Sequence, residues 1–182
     1  QENFSKQLDA LKANGYNTVT MEQVYQHWTN KAPLPEKPIV LSFDDGYQSW
    51  YDFVWKELTS RGMTGTFYMI SGIINEKADQ LKNIYKEGIE IGSHTVWHVD
   101  ARNTDNERLF NEYKQSKEQL ENIIGAEVSH FCYPYGGVSN HAKQALKDLG
   151  YKTSVRTTYG KASKGQGLYD LKRVRVDYTD SI

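Results

Sequence analysis

Two adjacent carboxylates, Asp44 and Asp45, follow an apolar stretch that ends at Phe43. Neighbouring carboxylates repel each other, so keeping both ionised costs free energy unless a cation or a shared proton relieves the repulsion. Because successive residues on a turn point in different directions, we expect different tasks for the two side chains. One can bind a metal ion while the other takes a proton from water. Asp-Asp-Gly is also a common turn signal, so this interpretation depends on partners elsewhere in the chain.

His94 and His98 are candidate partners, because they too directly follow a strand-like stretch. On a helical turn, residues four apart point the same way, so both imidazoles could bind one metal ion at about 2.0–2.1 Å. An aspartate and two histidines leave coordination positions open for water and substrate. The combination predicts a metallohydrolase with one divalent metal. Mixed nitrogen and oxygen ligation suits zinc, although nickel, cobalt, manganese and iron also accept it.

Aromatic residues accompany these motifs. The run Tyr133-Pro-Tyr-Gly136 follows another predicted strand, and its turn could aim a backbone N–H at an oxyanion; a purely structural turn is an equal alternative. Tyr47, Trp97 and Tyr133 are candidate contacts for sugar rings, although aromatic side chains also serve as core residues.

The elements that must position these residues form an alternating pattern of helices and short strands. Glycines predict the helix ends, because glycine readily adopts the left-handed conformation that closes a helix: Gly15, Gly62, Gly88, Gly125 and Gly150. Two capping boxes are predicted at Thr20–Gln23 and Thr104–Glu107, the second opening a helix that runs to about Ile124. About seven strands are expected, the last at Arg173–Val176. Alternation of this kind predicts an α/β fold with parallel strands, a distorted (β/α) barrel in which the loops after the strands carry the chemistry.

Composition narrows the class of protein. The 182 residues suit a single domain, residues 1–182, with a net charge of -1 from 22 basic and 23 acidic residues. This balance argues against nucleic-acid binding, and the basic run Lys172-Arg-Val-Arg175 is explained by alternation on a strand. No stretch approaches the ~20 apolar residues of a membrane span. Because the chain opens on Gln1, we expect it to be a trimmed or processed piece of a longer protein, and we expect it to act as a monomer.

Three motifs resemble those of the polysaccharide deacetylases, also called the NodB homology domain or carbohydrate esterase family four. Ser42-Phe-Asp-Asp-Gly46 matches the first motif, Thr-Phe-Asp-Asp-Gly, and His94-Thr-Val-Trp-His98 matches the second, His-Ser/Thr-x-x-His. Cys132-Tyr-Pro-Tyr-Gly136 partly matches the third, Arg-x-Pro-x-Gly. The resemblance spans about residues 38–155, and the family's distorted (β/α) barrel agrees with the expected fold.

The resemblance implies a role for each residue. Asp44 would be the general base, and Asp45, His94 and His98 would bind the metal. The backbone N–H of Tyr135 would stabilise the oxyanion. The implied reaction is hydrolysis of an N-acetyl group on a glycan by water activated at the metal, which releases acetate.

The sequence departs from the family pattern in two places. Cys132 stands where the third motif has an arginine that orients the base, and the late Leu-x-His motif that supplies the general acid is absent. The remaining histidines are poor substitutes: His27 on an early helix, His130 inside a strand and His141 in a polar helix. In the exopolysaccharide (poly-N-acetylglucosamine) deacetylase branch, the motif order is permuted and the acid lies upstream. We therefore expect the acid just before Gln1, and a gene with no histidine in the preceding ~30 residues would contradict this.

The leading interpretation is an exported, extracellular or cell-surface N-deacetylase of bacterial type, acting on a polymer or oligomer of N-acetylglucosamine. Xylan O-deacetylation needs the same metal site but a better leaving group. A non-catalytic glycan-binding relative is favoured only by the missing acid histidine. A metal-dependent amidohydrolase of small cyclic amides is the third alternative.

Overall fold

The computed structural model describes residues 1–177 and 179–180, and within these ranges the chain forms eight strands. Six of them make one parallel sheet in sequential order, curled into a half-barrel. These are β3 (Ser42–Asp45), β4 (Thr66–Met69), β5 (Glu90–Ser93), β6 (His130–Cys132), β7 (Thr153–Tyr159) and β8 (Leu171–Arg173). A separate parallel pair joins β1 (Asn17–Thr18) to β2 (Pro38–Ile39). The predicted α/β fold is confirmed, and its parallel strands place every following loop at one rim.

Helices connect the strands, as the alternating pattern predicted. They are α1 (Glu2–Ala13), α2 (Met21–Asn30), α3 (Trp55–Thr59), α4 (Ala78–Lys86), α5 (Asn106–Ile124) and α6 (Asn140–Asp148). A π-helical segment, Trp50–Val54, leads into α3. The five glycines predicted to end helices all have positive φ angles. No helix within the described ranges combines the length and the apolar character needed to span a bilayer.

The two predicted capping boxes have different outcomes. The box at Thr20 and Gln23 is present, with the Thr20 side chain accepting from the Gln23 backbone N–H. The box at Thr104 is wrong, because Asp105 caps α5 by accepting from the Arg108 N–H. The Thr104 hydroxyl instead donates to the Asp100 carbonyl at 2.8 Å. Asp105, one residue after Thr104, is at least as favourable an N-cap residue and takes that position instead.

Apolar side chains fill both faces of the curled sheet. Between the sheet and the outer helices, Phe43, Phe67 and Phe131 lie in one large core with residues of α1, α4 and α5. Inside the curl, Tyr68, Cys132 and Leu171 pack with Met21 of α2. Because both faces of the sheet are closely packed, the strand ends at the rim have fixed positions.

The last strand differs from its predicted position. It spans Leu171–Arg173 rather than Arg173–Val176, and Arg173 is therefore its final residue. Strands β3 and β8 are the two edges of the sheet. Arg173 thus stands at the rim formed by the strand ends, facing the strand that carries Asp44.

Candidate active site

The side chains of Asp45, His94 and His98 converge at the rim because of the strand register. Asp45 ends β3 and Ser93 ends β5, and both are level with Met69 on the intervening β4. His94 follows β5 directly, with its N–H donating to the Met69 carbonyl at 2.9 Å. Adjacent strands lie about 4.8 Å apart, so side chains from β3 and β5 meet over β4.

The three side chains present their donor atoms at the spacing of a metal site. Asp45 Oδ1 lies 3.3 Å from His94 Nε2 and 3.3 Å from His98 Nε2, and the two nitrogens are 3.1 Å apart. A tetrahedral zinc site with ligand distances of about 2.0–2.1 Å has donor–donor separations of about 3.3 Å. The residues therefore fit a divalent metal. His98 and Asp45 are each about a quarter exposed, which leaves one side open to substrate.

His94 is fixed by a hydrogen bond behind it. Its Nδ1 lies 2.7 Å from the Cys132 carbonyl oxygen, which can only accept, so Nδ1 carries the proton and Nε2 is directed at Asp45. Burial opposes the charged form of His94, but the acidic groups of Cys132, Asp45 and Asp44 outweigh it and raise its pKa to about 10. The pKa of His98 is lowered, by burial and by the charge of His94. A cation that binds here must displace a proton from His94.

The predicted helical turn between the two histidines is wrong. Residues 94–98 form an irregular bend, with left-handed φ angles at Thr95 (68°) and His98 (57°). These two left-handed residues, rather than a helical repeat, bring the Nε2 atoms of His94 and His98 together. Residues other than glycine rarely adopt the left-handed conformation, so the surrounding structure must hold it.

Asp44 points away from Asp45, toward the opposite edge of the sheet. It forms a bidentate ion pair with Arg173 of β8, with Nη1–Oδ1 at 2.7 Å and Nη2–Oδ2 at 2.6 Å. Burial works to raise the pKa of Asp44, but the hydrogen bonds and charge of Arg173 outweigh it, so the pKa is lowered. Oxygen and nitrogen atoms of Asp44 and His94 lie within 4.8 Å of each other. Asp44 is thus ionised and adjacent to the three candidate metal ligands.

Arg173 was missed by the sequence analysis, which interpreted its basic run as strand alternation. All its N–H groups find acceptors. Besides Asp44, they donate to the Arg156 carbonyl at 3.1 Å, the Ser42 hydroxyl at 3.2 Å and the Cys132 sulfur at 3.2 Å. A guanidinium has five such donors in a rigid fork, so its orientation is completely determined. The sequence signal for this residue was an arginine near the end of the last strand together with an unfilled arginine position at Cys132.

The turn after β6 places two predicted residues differently. Tyr133 is fully buried and its hydroxyl donates to the Tyr169 carbonyl at 3.1 Å, so the prediction that Tyr133 contacts substrate is wrong. Its side chain follows the strand alternation into the core. Tyr135 has a left-handed φ of 57°, and its exposed ring lies 4.5 Å from the His98 ring. The role of its backbone N–H stays a prediction.

A cleft of about 510 Å³ opens beside the three candidate metal ligands. It is lined by Asp45, Gly46, Tyr47, Gln48, Ile70, Ile73, Lys77 and His98. Tyr47 and Trp97 are each 62% exposed, so both are available for the ligand contacts predicted for them, which stay predictions. The cleft joins exposed aromatic surface to the converging donor atoms.

Comparisons with known proteins agree with this geometry. The polysaccharide deacetylase family model matches residues 31–154. The Bacillus subtilis protein YxkH is 31% identical over 97% of this chain and 64% of its own length. The poly-β-1,6-N-acetyl-D-glucosamine N-deacetylase of Escherichia coli is 25% identical over 97% of this chain and 33% of its own length. The chain therefore spans less than two thirds of the length of these relatives.

Among solved structures, the Streptococcus pyogenes deacetylase PplD in complex with acetate superimposes with a TM-score of 0.92. It is 28% identical, and the match covers 98% of this chain and 81% of PplD. IcaB from Ammonifex degensii, at 22% identity and a TM-score of 0.85 over 97% of this chain and 83% of its own, shares the fold. The motifs, the curled parallel sheet and these matches identify the chain as a member of the polysaccharide deacetylase family.

Proposed function

We propose that this chain catalyses the metal-dependent hydrolysis of N-acetyl groups on an N-acetylglucosamine-containing polysaccharide, releasing acetate. The observation that carries the proposal is the convergence of Asp45 Oδ1, His94 Nε2 and His98 Nε2 beside the ionised Asp44. A divalent metal bound there, zinc being the first candidate, would supply Lewis acidity that polarises the acetamide carbonyl and lowers the pKa of water.

The chain's own residues then have defined tasks. Asp44 accepts the proton of the attacking water, and Arg173 keeps that carboxylate ionised and oriented before the reaction begins. The N–H of Tyr135 donates to the oxyanion that develops on the substrate, where a fixed dipole costs no reorganisation. Because Asp44 and Asp45 are held by different partners, one carboxylate can bind the metal while the other stays free for proton transfer.

The leaving amine also needs a proton, and the position of α1 supports a donor upstream of Gln1. The first two turns of α1 contact residues beyond the end of β8, through Asn3 to Asp180 and Gln7 to Asp177. Phe4 packs 5.9 Å from Phe43, the neighbour of Asp44. The other end of the helix lies near the start of β4, where Lys12 donates to the Arg61 carbonyl. A histidine preceding Gln1 would therefore approach from the rim side of the sheet.

The substrate class rests on the relatives and on the cleft. The Escherichia coli relative is named for poly-β-1,6-N-acetyl-D-glucosamine and matches nearly the whole chain, whereas a peptidoglycan-N-acetylglucosamine deacetylase of Bacillus cereus matches 71% of it. The acetate complex of PplD fits a site that releases acetate. Exposed Tyr47 and Trp97 offer ring faces for sugars. We also propose that the protein is exported and acts outside the cell or at its surface.

The test is acetate release from β-1,4- and β-1,6-linked N-acetylglucosamine oligomers by zinc-loaded protein. This chain is compared with a version extended upstream, and each is paired with its Asp44→Asn variant. Turnover by the extended form, lost in Asp44→Asn, supports both the deacetylase and the upstream acid. Equal turnover by both forms contradicts the upstream acid but leaves the deacetylase proposal standing. Sugar and metal binding without acetate release from either form would replace the enzyme with a glycan-binding protein.

A further inference from the structure

Helix α5 carries a polar stripe that runs from its buried face to its exposed edge. Glu112 is 6% exposed and Ser116 is fully buried, and the exposed Gln119 follows them at the spacing of one helix face. Leu109, Tyr113 and Leu120 around them are apolar core residues. Polar groups in such surroundings are costly unless they are hydrogen-bonded, so their partners show what the stripe does.

Each polar residue of the stripe binds a segment of the catalytic rim. Ser116 Oγ lies 2.8 Å from Ser93 Oγ at the end of β5. Gln119 Oε1 accepts from the Ser71 hydroxyl at 2.7 Å. Glu112 Oε2 accepts from the backbone N–H of Val96 at 3.0 Å and of Trp97 at 2.9 Å. The Glu112 carboxylate thus binds the bend that joins His94 to His98.

That bend depends on outside support. Its φ angles are left-handed at Thr95 and His98, which is unfavourable for side chains with a Cβ. On one side, the Ser71 and Gly72 N–H groups donate to the Thr95 and Val96 carbonyls, both at 3.0 Å. On the other side, Glu112 binds both N–H groups in the middle of the bend. The carboxylate and the Ser71–Gly72 backbone therefore clamp the bend between them.

We propose that Glu112 is a positioning residue for the metal site: its carboxylate holds the bend in the conformation that brings His98 Nε2 to His94 and Asp45. The inference rests on the proposed metal site but concerns a residue outside the ligand set. One oxygen, Oε2, accepts both N–H groups, so an amide oxygen at the same place can replace it. The requirement is an acceptor at that position rather than a negative charge.

The experiment compares zinc affinity of Glu112→Met and Glu112→Gln, measured by competition with a chromophoric chelator. Loss of an outer partner of a metal ligand typically costs about 10–100-fold in metal affinity, and we expect a loss of this size for Glu112→Met. Glu112→Gln keeps the acceptor and should bind zinc nearly as wild type does. Ser116→Ala is the matched control, because its hydroxyl binds β5 rather than the bend. Equal losses in Glu112→Met and Glu112→Gln would mean that charge is what matters and would overturn the proposal.

A second readout does not require metal. In the metal-free protein, amide hydrogen exchange at Val96 and Trp97 should accelerate in Glu112→Met and stay slow in Glu112→Gln; unchanged exchange in Glu112→Met overturns the proposal. If Glu112→Met does not fold, Glu112→Asp serves in its place, since its shorter carboxylate cannot reach both N–H groups, and it should bind zinc more weakly than Glu112→Gln. The reverse order contradicts the proposal. If wild-type protein binds no divalent metal, the proposed function fails, while the exchange rates still decide the role of Glu112.

Discussion

The two ends of the curled sheet carry the same kinds of side chain and use them differently. At the rim, His94 and His98 meet Asp45 beside Asp44. At the other end the first residues of four consecutive strands, Thr66, Glu90, His130 and Thr153, form a second polar group together with Glu22 and Lys152. We call this second group the basal cluster.

In the basal cluster, each carboxylate already has its partners within the protein. Glu90 accepts from the Met21 and Glu22 N–H groups at the start of α2, both at 2.8 Å. His130 lies 3.1 Å from Glu22 and 2.8 Å from Thr153 through its two ring nitrogens, and Lys152 lies 3.2 Å from Glu22.

At the rim, by contrast, Asp45 Oδ1 and two imidazole nitrogens converge on one point. Residue types therefore do not distinguish a structural polar cluster from a candidate catalytic one. What distinguishes them is whether the donor atoms are bound to partners within the protein or converge on a common point.

The sharpest test of this difference is Asp44→Asn at the rim against Glu90→Gln at the base. Removing a general base typically lowers the rate about 10²–10⁴-fold, so Asp44→Asn should lose nearly all acetate release. Glu90→Gln should keep kcat but lose about 1–3 kcal/mol of unfolding free energy, because a helix N-terminus loses a charged acceptor. Deacetylation kinetics and urea unfolding measure the two effects. A Glu90→Gln variant as inactive as Asp44→Asn would abolish the distinction between the two ends.

The histidines provide the second comparison. His98→Ala removes one of three converging donors and should weaken zinc binding more than the about 10–100-fold typical of an outer-shell change. His130→Ala should leave zinc affinity unchanged and instead lower the unfolding free energy by about 1–3 kcal/mol, since it leaves buried polar partners unpaired. Chelator competition and thermal unfolding of both variants provide the measurements. Zinc affinity lost equally in both would contradict the assignment of His130 to the basal cluster.

Arg173→Lys tests how the base is held. Lysine cannot form the bidentate pair, so the pKa of Asp44, which Arg173 lowers, should rise. The acidic limb of the pH profile of kcat/KM should then move to higher pH, with a fall in kcat smaller than that of Asp44→Asn. Lys172→Arg, at the exposed neighbouring position, is the control. If Arg173→Lys lowers the unfolding free energy but leaves the pH profile of kcat/KM unshifted, the role of Arg173 is only structural.

The smallest expected effect concerns pH and the basal cluster. The His130 hydrogen bond, opposed by burial and helped by Gln26 and Lys152, lowers the pKa of Glu22 from 4.5 to about 2. A lowered folded-state pKa stabilises the protein above pH 4.5, and this contribution is lost as the pH falls from 4.5 toward 2. Glu22 is partly exposed, so screening keeps the contribution below about 1 kcal/mol. Urea midpoints at pH 7, 4.5 and 3 should fall less in Glu22→Gln than in wild type, with Glu76→Gln as the exposed control.

The sequence predicted the fold class, and it singled out the residues whose donor atoms converge at the rim, because both signals are local. Asp44, Asp45, His94 and His98 stand immediately after strand-like runs, and parallel strands bring such positions to one rim. It failed where the cause is distant along the chain. Arg173 is 129 residues from Asp44, and the unfilled arginine position at Cys132 indicates that an arginine is needed without showing which one supplies it.

The other errors come from local backbone choices that depend on tertiary contacts. Tyr133 was expected to contact a sugar ring, but its side chain is buried in the same core as that of Phe131, two residues earlier in the chain. The bend at Thr95 and His98 was expected to be helical, and only packing against α5 and the Ser71–Gly72 backbone shows why it is not.

The Arg173–Asp44 ion pair joins the two edge strands of the sheet. The same contact therefore holds the half-barrel together and keeps the proposed base, Asp44, ionised. An edge strand is hydrogen-bonded to the sheet on one side only, and β8 is an edge strand of this sheet. Detachment of β8 would release Asp44 from its guanidinium while β3 and β5 still hold Asp45, His94 and His98 in place. For the zinc-loaded protein, inactivation by gentle heating or by limited cleavage next to β8 should therefore precede loss of bound zinc, and the protein would pass through a form that retains zinc but does not release acetate.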